Sequence, residues 1–306
     1  MNIIYDLKKL DDADYDICIE YIVENLKKKS FIFGVYQFGS IKFPGISDID
    51  IMIVLDDLNE YSLKKNCIEE IIRNAPNSEY CFWHESIIIS KKDLAYIKYF
   101  HTVDNIKKLF AISEDIIEEQ LDSKTYYNLI LMWNAYFYQM FLQIQNNANV
   151  SLRQILLILN NMKISINNNN IIYRLKHEYD FESRVAAIRK ESISNFSLST
   201  SDKINKIFND GLDIISKQEK LSNSDFGNFD KGILFDFKER KLFISGDCLS
   251  FYNFRLFQLF ILPKKYFIAR DIIKNNFKTV IKENSMSVEG FYKMRERFAS
   301  VKILDI

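Results

Sequence analysis

The sequence predicts an α+β fold: a mixed-sheet domain followed by a mainly helical region. Three observations carry this. Residues 14–95 alternate helical patterns with short runs of branched and aromatic residues. Residues 123–145 are apolar nearly all round at helical spacing, the mark of a buried helix. Hydrophobic residues make up 48 % of the 306, enough to bury a sizeable core. The length prior suggests about two domains. The expected division is a sheet-bearing part over 1–120, a helical part over 121–225, and a small α/β or helical part over 226–306 that can pack with the helical one.

The elements follow in order. Residues 14–26 read as an amphipathic helix with Ile17, Cys18, Tyr21, Ile22 and Leu26 on one stripe, ended by Lys27, Lys28 and Lys29 at the negative end of its dipole. Residues 31–38 and 49–55 read as strands. Residues 62–73 read as a helix closed by Asn74, Pro76 and Asn77. Residues 79–90 read as a third strand. Beyond the long apolar helix, Ser151-Leu152-Arg153-Gln154 is a capping box that opens another helix. The polar run Asn167–Asn170 reads as a loop or helix end, and two or three more helices fill 171–221. Residues 222–230 form a polar connection. A hairpin is expected from 232–237 and 241–245 around Lys238-Glu239-Arg240, and the rest is helical by pattern.

Composition narrows the function classes. Lys plus Arg and Asp plus Glu are both 41, so the net charge is zero and no strong nucleic-acid footprint is expected. Charge is uneven, with 6 basic and 12 acidic residues in 1–60 against 10 basic and 5 acidic in 261–306. This suits either two solvated faces or two regions that close on an anionic ligand. The opening residues lack a secretory pattern and no stretch is long enough to span a membrane. Cys18, Cys67, Cys81 and Cys248 form no C-x-x-C pair, and His84, His101 and His177 have no metal-ligand spacing. Free thiols fit a reducing cytoplasm.

One constellation carries chemistry. Gly34, Gly39 and Gly45 are three of the 8 glycines and lie in the stretch FGVYQFGSIKFPGISDIDIMIVLD, Phe33 to Asp56. A strand ends at Gly39-Ser40, a short spacer follows, and two aspartates open the next strand. Period two sends Asp48 and Asp50 to one face and Ile49, Ile51, Ile53 and Leu55 to the other. Two carboxylates on one face repel, and a divalent cation offsets that cost. All-oxygen donors with open positions select Mg²⁺ or Mn²⁺, completed by phosphates. The Gly39-Ser40 turn offers backbone N–H groups that can approach phosphate closely. The expectation is a mixed sheet over 31–90 with Asp48 and Asp50 on one exposed face.

Gly39-Ser40, then Ser47-Asp48-Ile49-Asp50 entering an apolar strand, resembles the signature of the DNA polymerase beta-like nucleotidyltransferase superfamily, over residues 14–95. The resemblance implies a polymerase beta-like fold for residues 1–120. It implies transfer of a nucleoside monophosphate from an NTP to an acceptor, with two metal ions at Asp48 and Asp50. It also implies a third carboxylate as metal ligand or general base. Glu85, just before Ser86-Ile87-Ile88-Ile89, is preferred over Glu79, and His84 beside it orients substrate or packs against Trp83. Gly39 and Ser40 would hold phosphates, Ser47 would cap the turn, and Lys42 would contact phosphate or face solvent. The acceptor is expected to be a small molecule. The alternatives are a macromolecular or nucleotide acceptor, as in tRNA maturation, protein modification or defence signalling, and an inactive relative acting as an interaction module. Tyr126, Tyr127, Trp133, Tyr136, Phe137, Tyr138 and Phe141 read as helix core before a base-stacking platform. Lys264, Lys265, Arg270, Arg295 and Arg297 are a solvated face or a closure over phosphates.

Overall fold

The computed structural model describes residues 1–57, 59–83, 86–91, 105–112, 147–172, 180–222, 233–236, 241–244 and 247–250, with single positions 94, 130, 134, 137, 138, 140, 141, 144, 145, 174 and 175. The chain divides into two compact units. One comprises Lys8–Thr125 with Lys278–Ile306, the other Met1–Leu7 with Tyr126–Phe277. Among the described residues no helix is long and apolar enough to cross a membrane.

The first unit is mixed α/β. It holds α1 (Asp12–Leu26), β2 (Ile32–Phe38), β3 (Asp50–Leu55), α2 (Tyr61–Arg73), α3 (Ser78–Cys81), β4 (Ile87–Ser90) and β5 (Ile106–Ala111); β1 (Asn2–Ile4) precedes it in the chain and belongs to the other unit. The four-stranded sheet has the order β4-β3-β2-β5. β2 is antiparallel to both β3 and β5, and β3 is parallel to β4. The β3–β4 pair is parallel because α2 and α3 form its crossover.

Asp11 opens α1 with a full capping box. Its side chain accepts from the Asp14 N–H, and the Asp14 carboxylate accepts from the Asp11 N–H. The buried stripe is Tyr15, Cys18, Ile19, Ile22 and Leu26. The expected stripe is thus rotated: Ile17 and Tyr21 are exposed. Tyr15 makes the difference, because its hydroxyl has two partners in the core, described below. Ile49, Ile51, Ile53 and Leu55 join this stripe in one apolar cluster with Ile68, Cys81 and Ile88. Alternation along β3 therefore holds as expected on that face. The other face is not exposed as expected. Tyr36, Phe38, Met52, Val54, Ile87 and Ile89 there are all buried.

The expected strand over 79–90 is not continuous: residues 78–81 are a helical turn, and among the described residues of this stretch 87–90 pair as β4. Glu79 thereby leaves the sheet. Tertiary bonds override the apolar pattern: the Tyr80 hydroxyl donates to the Gly45 carbonyl and accepts from the Lys8 N–H, and the Cys81 carbonyl accepts from the Ile49 N–H.

The second unit is mainly helical, with α4 (Leu152–Ile172), α5 (Phe181–Ser194) and α6 (Leu198–Ser222). Described positions between 130 and 145 are helical too, and Phe137, Tyr138 and Phe141 are buried there as core. β1 pairs in parallel with β6 (Asn149–Ser151), which runs straight into α4. The Ser151 hydroxyl accepts from the Gln154 N–H, the expected cap. Asp6 completes it by accepting from the Ser151 hydroxyl and from the Arg153 N–H.

Of the two expected readings of the Asn167–Asn170 run, helix end holds and loop does not. The run lies in the last turns of α4, which ends at Ile172, with Asn168, Asn169 and Asn170 buried. The amides satisfy one another across helices. Asn134 donates to Asn169, Asn168 to Asn134, and Asn169 to the Tyr138 hydroxyl and to Gln218, which itself donates to Asn170. Buried amides cost little when each finds a partner. The hairpin is present as β7 (Ile233–Asp236) and β8 (Lys241–Ile244), joined by an unforeseen β9 (Asp247–Ser250). The connection at 223–230, Tyr126, Tyr127, Trp133, Tyr136, the three histidines, and everything from 251 onward, including the basic residues named above, lie outside the described residues.

Candidate active site

Strand directions bring the chemistry to one end of the sheet. β2 ends at Phe38, which faces Asp50 on β3 and Ile106 on β5. β4, parallel to β3, begins at Ile87 opposite Met52. The Gly39-Ser40 turn, the Ser47–Asp50 segment and Asn105 therefore share one sheet end. The Gly39 N–H donates to the Asn105 carbonyl at 3.0 Å, which ties two of them together. Gly39 has φ of +66°, where a Cβ would be strained.

The spacer is rigid for stated reasons. Phe43-Pro44-Gly45-Ile46 is a type II turn, closed by the Ile46 N–H on the Phe43 carbonyl at 2.9 Å, with Gly45 at φ +82°. The Ser47 hydroxyl accepts from the Phe43 N–H at 3.2 Å. Two tyrosines clamp the turn. The Tyr15 hydroxyl accepts from the Gly45 N–H at 3.1 Å and donates to the Ser47 carbonyl at 2.8 Å. Tyr80 holds the Gly45 carbonyl from the other side. The two aspartates thus leave a loop pinned from α1 and α3, with Ile49 buried between them.

Asp48 and Asp50 are both half-buried, at alternate positions, on the side opposite the Ile49–Leu55 series. The structure brings Gly39, Ser40, Asp48 and Asp50 together at this end. Ser40 and Lys42 are exposed, and the Lys42 N–H donates to the Ser40 carbonyl. Ser47 is buried, with its hydroxyl inside the turn. Glu79 sits on α3 with its carboxylate on the Lys8 ammonium at 3.0 Å. Glu85 and His84 lie outside the described residues. Among the described residues no group of three or more His, Cys, Asp or Glu forms a metal cluster. The two aspartates nevertheless fit Mg²⁺ or Mn²⁺ by donor type, being hard carboxylates half-open to solvent.

Three features were not foreseen. Tyr15 and Tyr80 carry no distinguishing signal in the sequence, and only their hydroxyl partners reveal the clamp. The Tyr36 phenol lies on the Asp50 side of the sheet, raised above its ordinary pKa by burial and without a hydrogen-bond partner among the described residues. Its ring lies against Gly34, where a Cβ would come within 3.0 Å. Cys18 and Cys81 are neighbours in the core, and their contact with burial pushes the Cys18 thiol up, so it stays neutral.

Comparison with protein-family models, with curated proteins and with solved structures finds no match to the chain.

Proposed function

We propose that the chain is a metal-dependent nucleotidyltransferase that moves a nucleoside monophosphate from an NTP to an acceptor. The observation that supports this is the gathering of Gly39-Ser40, Asp48 and Asp50 at one end of a mixed sheet, behind a doubly clamped turn. An acceptor oxygen attacks the α-phosphorus, the bond to the bridging oxygen breaks, and pyrophosphate leaves. Mg²⁺ or Mn²⁺ at Asp48 and Asp50 supplies charge neutralisation on the phosphates when bound. Asp48 and Asp50 hold the metal's place, and Gly39 and Ser40 receive phosphate oxygens.

Glu85 is the third carboxylate of this reading. It stands two residues before Ile87 in sequence, as Asp50 stands two before Met52, the strand partner of Ile87. Glu79 is occupied elsewhere, on Lys8. Zero net charge favours a small-molecule acceptor over a nucleic acid. The free thiols of Cys18, Cys67 and Cys81 favour a cytoplasmic location.

The test is pyrophosphate release from each of the four NTPs with Mg²⁺ across pools of small-molecule, nucleotide, RNA and protein acceptors. Turnover that vanishes in Asp48→Asn/Asp50→Asn supports the reading. Undiminished turnover in that double variant overturns the site. NTP binding without turnover in any pool overturns the enzyme in favour of an inactive relative.

A further inference from the structure

The sheet register assigns a further residue to the candidate site. In antiparallel pairs, residues directly opposite one another stand on the same face. Asp50 is opposite Phe38, and Phe38 is two residues from Tyr36 on the same strand. Tyr36 is opposite Lys108 on β5. Asp50, Phe38, Tyr36 and Lys108 therefore share the face that turns away from α1 and α2. Lys107, opposite Gln37, is on the other face.

Lys108 is out of character there. Its row across the sheet is Ile87, Met52, Tyr36 and Lys108, and the first three are buried apolar or aromatic residues. Lys108 is exposed. It stands two strands and one two-residue step from Asp50, about 12 Å between Cα atoms at ~4.8 Å per strand and ~3.4 Å per residue. Phe38 and Tyr36, which stand between the two on this face, are buried. A phosphate chain that joins Asp50 and Lys108 therefore runs around these rings, past the half-buried Ile106 on β5, with the lysine's four-carbon stem reaching to meet it.

We propose that Lys108 is an anion-binding residue of the candidate site and takes the triphosphate tail of the NTP. This rests on the nucleotidyltransferase reading and deepens it. The site then has acids at the sheet end for cations and one exposed ammonium on β5 for the phosphates. The adjacent Lys107 supplies an internal control. Among the described residues β5 is an edge strand, and lysines commonly guard such edges against pairing. Edge protection uses both lysines alike, whereas phosphate binding uses only the one that faces Asp50.

The experiment is equilibrium binding of ATP, GTP, CTP and UTP with Mg²⁺ to the full chain, in competition with inorganic triphosphate. Wild type, Lys107→Gln, Lys108→Gln, Lys108→Arg and Asp48→Asn/Asp50→Asn are compared, with a thermal melt of each. Lys108→Gln is expected to weaken NTP and inorganic triphosphate alike by about ten- to a hundredfold, the scale of a charged hydrogen bond. Lys107→Gln should stay within about twofold of wild type, as exposed substitutions do. Lys108→Arg should restore most of the loss. Equal effects of Lys107→Gln and Lys108→Gln overturn the Lys108 assignment and leave the nucleotidyltransferase reading standing. A wild type that binds none of the four NTPs overturns both.

Discussion

Gly45 is held to glycine twice over. Its φ of +82° lies in the left-handed region, and a Cβ there would meet the Lys8 carbonyl oxygen at 2.6 Å. Gly45→Ala should therefore cost at least about 1–3 kcal/mol, the scale of a strained backbone, before the clash with Lys8 is added. Tyr15→Phe should cost about 1–3 kcal/mol, because it strands the buried Gly45 N–H and Ser47 carbonyl. Urea denaturation measures both. On the proposed nucleotidyltransferase reading both variants should also lose NTP affinity, because Asp48 follows closely on this turn. Unchanged affinity in a folded Tyr15→Phe would show that the clamp does not position the aspartates.

At the scale of elements, α1 meets the sheet through residues such as Ile22, fully buried in the shared cluster. Ile22→Ala should destabilise by about 2–5 kcal/mol, and Ile17→Ala, on the exposed side, by far less. Equal losses would place the stripe where periodicity alone puts it. That stripe shows what the sequence can and cannot disclose. β2 and β3 were legible, because alternation and the Gly-Ser and Pro-Gly turns are local signals. The rotation of α1 was not, since it follows from a hydroxyl that reaches residues 30 and 32 positions away. The asparagine run was legible only as loop or helix end for the same reason: Asn suits loops unless amides on other helices satisfy it, and those partners decide for the helix end. Lys108 was invisible until the β2–β5 register was known. That Gly39, Ser40, Asp48 and Asp50 meet at one end of the sheet was legible by spacing, whereas the tyrosine clamp on the turn between them was not.

The whole molecule joins sequence-distant parts. Asp6 caps α4, which begins 146 residues later. Asp6→Ala should lower the stability of the helical unit by about 0.5–2 kcal/mol, the worth of a helix cap. Hydrogen exchange should quicken along the start of α4 and stay unchanged in β2 and β3; quickening in both would show that the two units unfold as one. Acid should weaken both. Lys64 holds the Asp57 carboxyl below its ordinary pKa in one unit, and Lys203 does so for Glu191 in the other. A carboxyl with a lowered folded value stabilises above its unfolded pKa, and that contribution is lost as pH falls through the folded one. The melting temperature should therefore drop below about pH 4, modestly, because Asp57 is exposed and Glu191 remains partly open to solvent. Lys203→Met should remove part of that acid limb at low salt, and an unchanged limb would show that the pair contributes nothing.

The parallel pairing of β1 with β6 has a consequence in time. Asn2 waits for Asn149, which is 147 positions further along the chain. At ribosomal rates of about 5–20 residues per second, that wait lasts roughly 7–30 s. The strands of the mixed sheet, by contrast, all emerge before residue 112. Through that interval β1 has a free hydrogen-bonding edge and no partner, long enough for a chaperone or a second nascent chain to find it first.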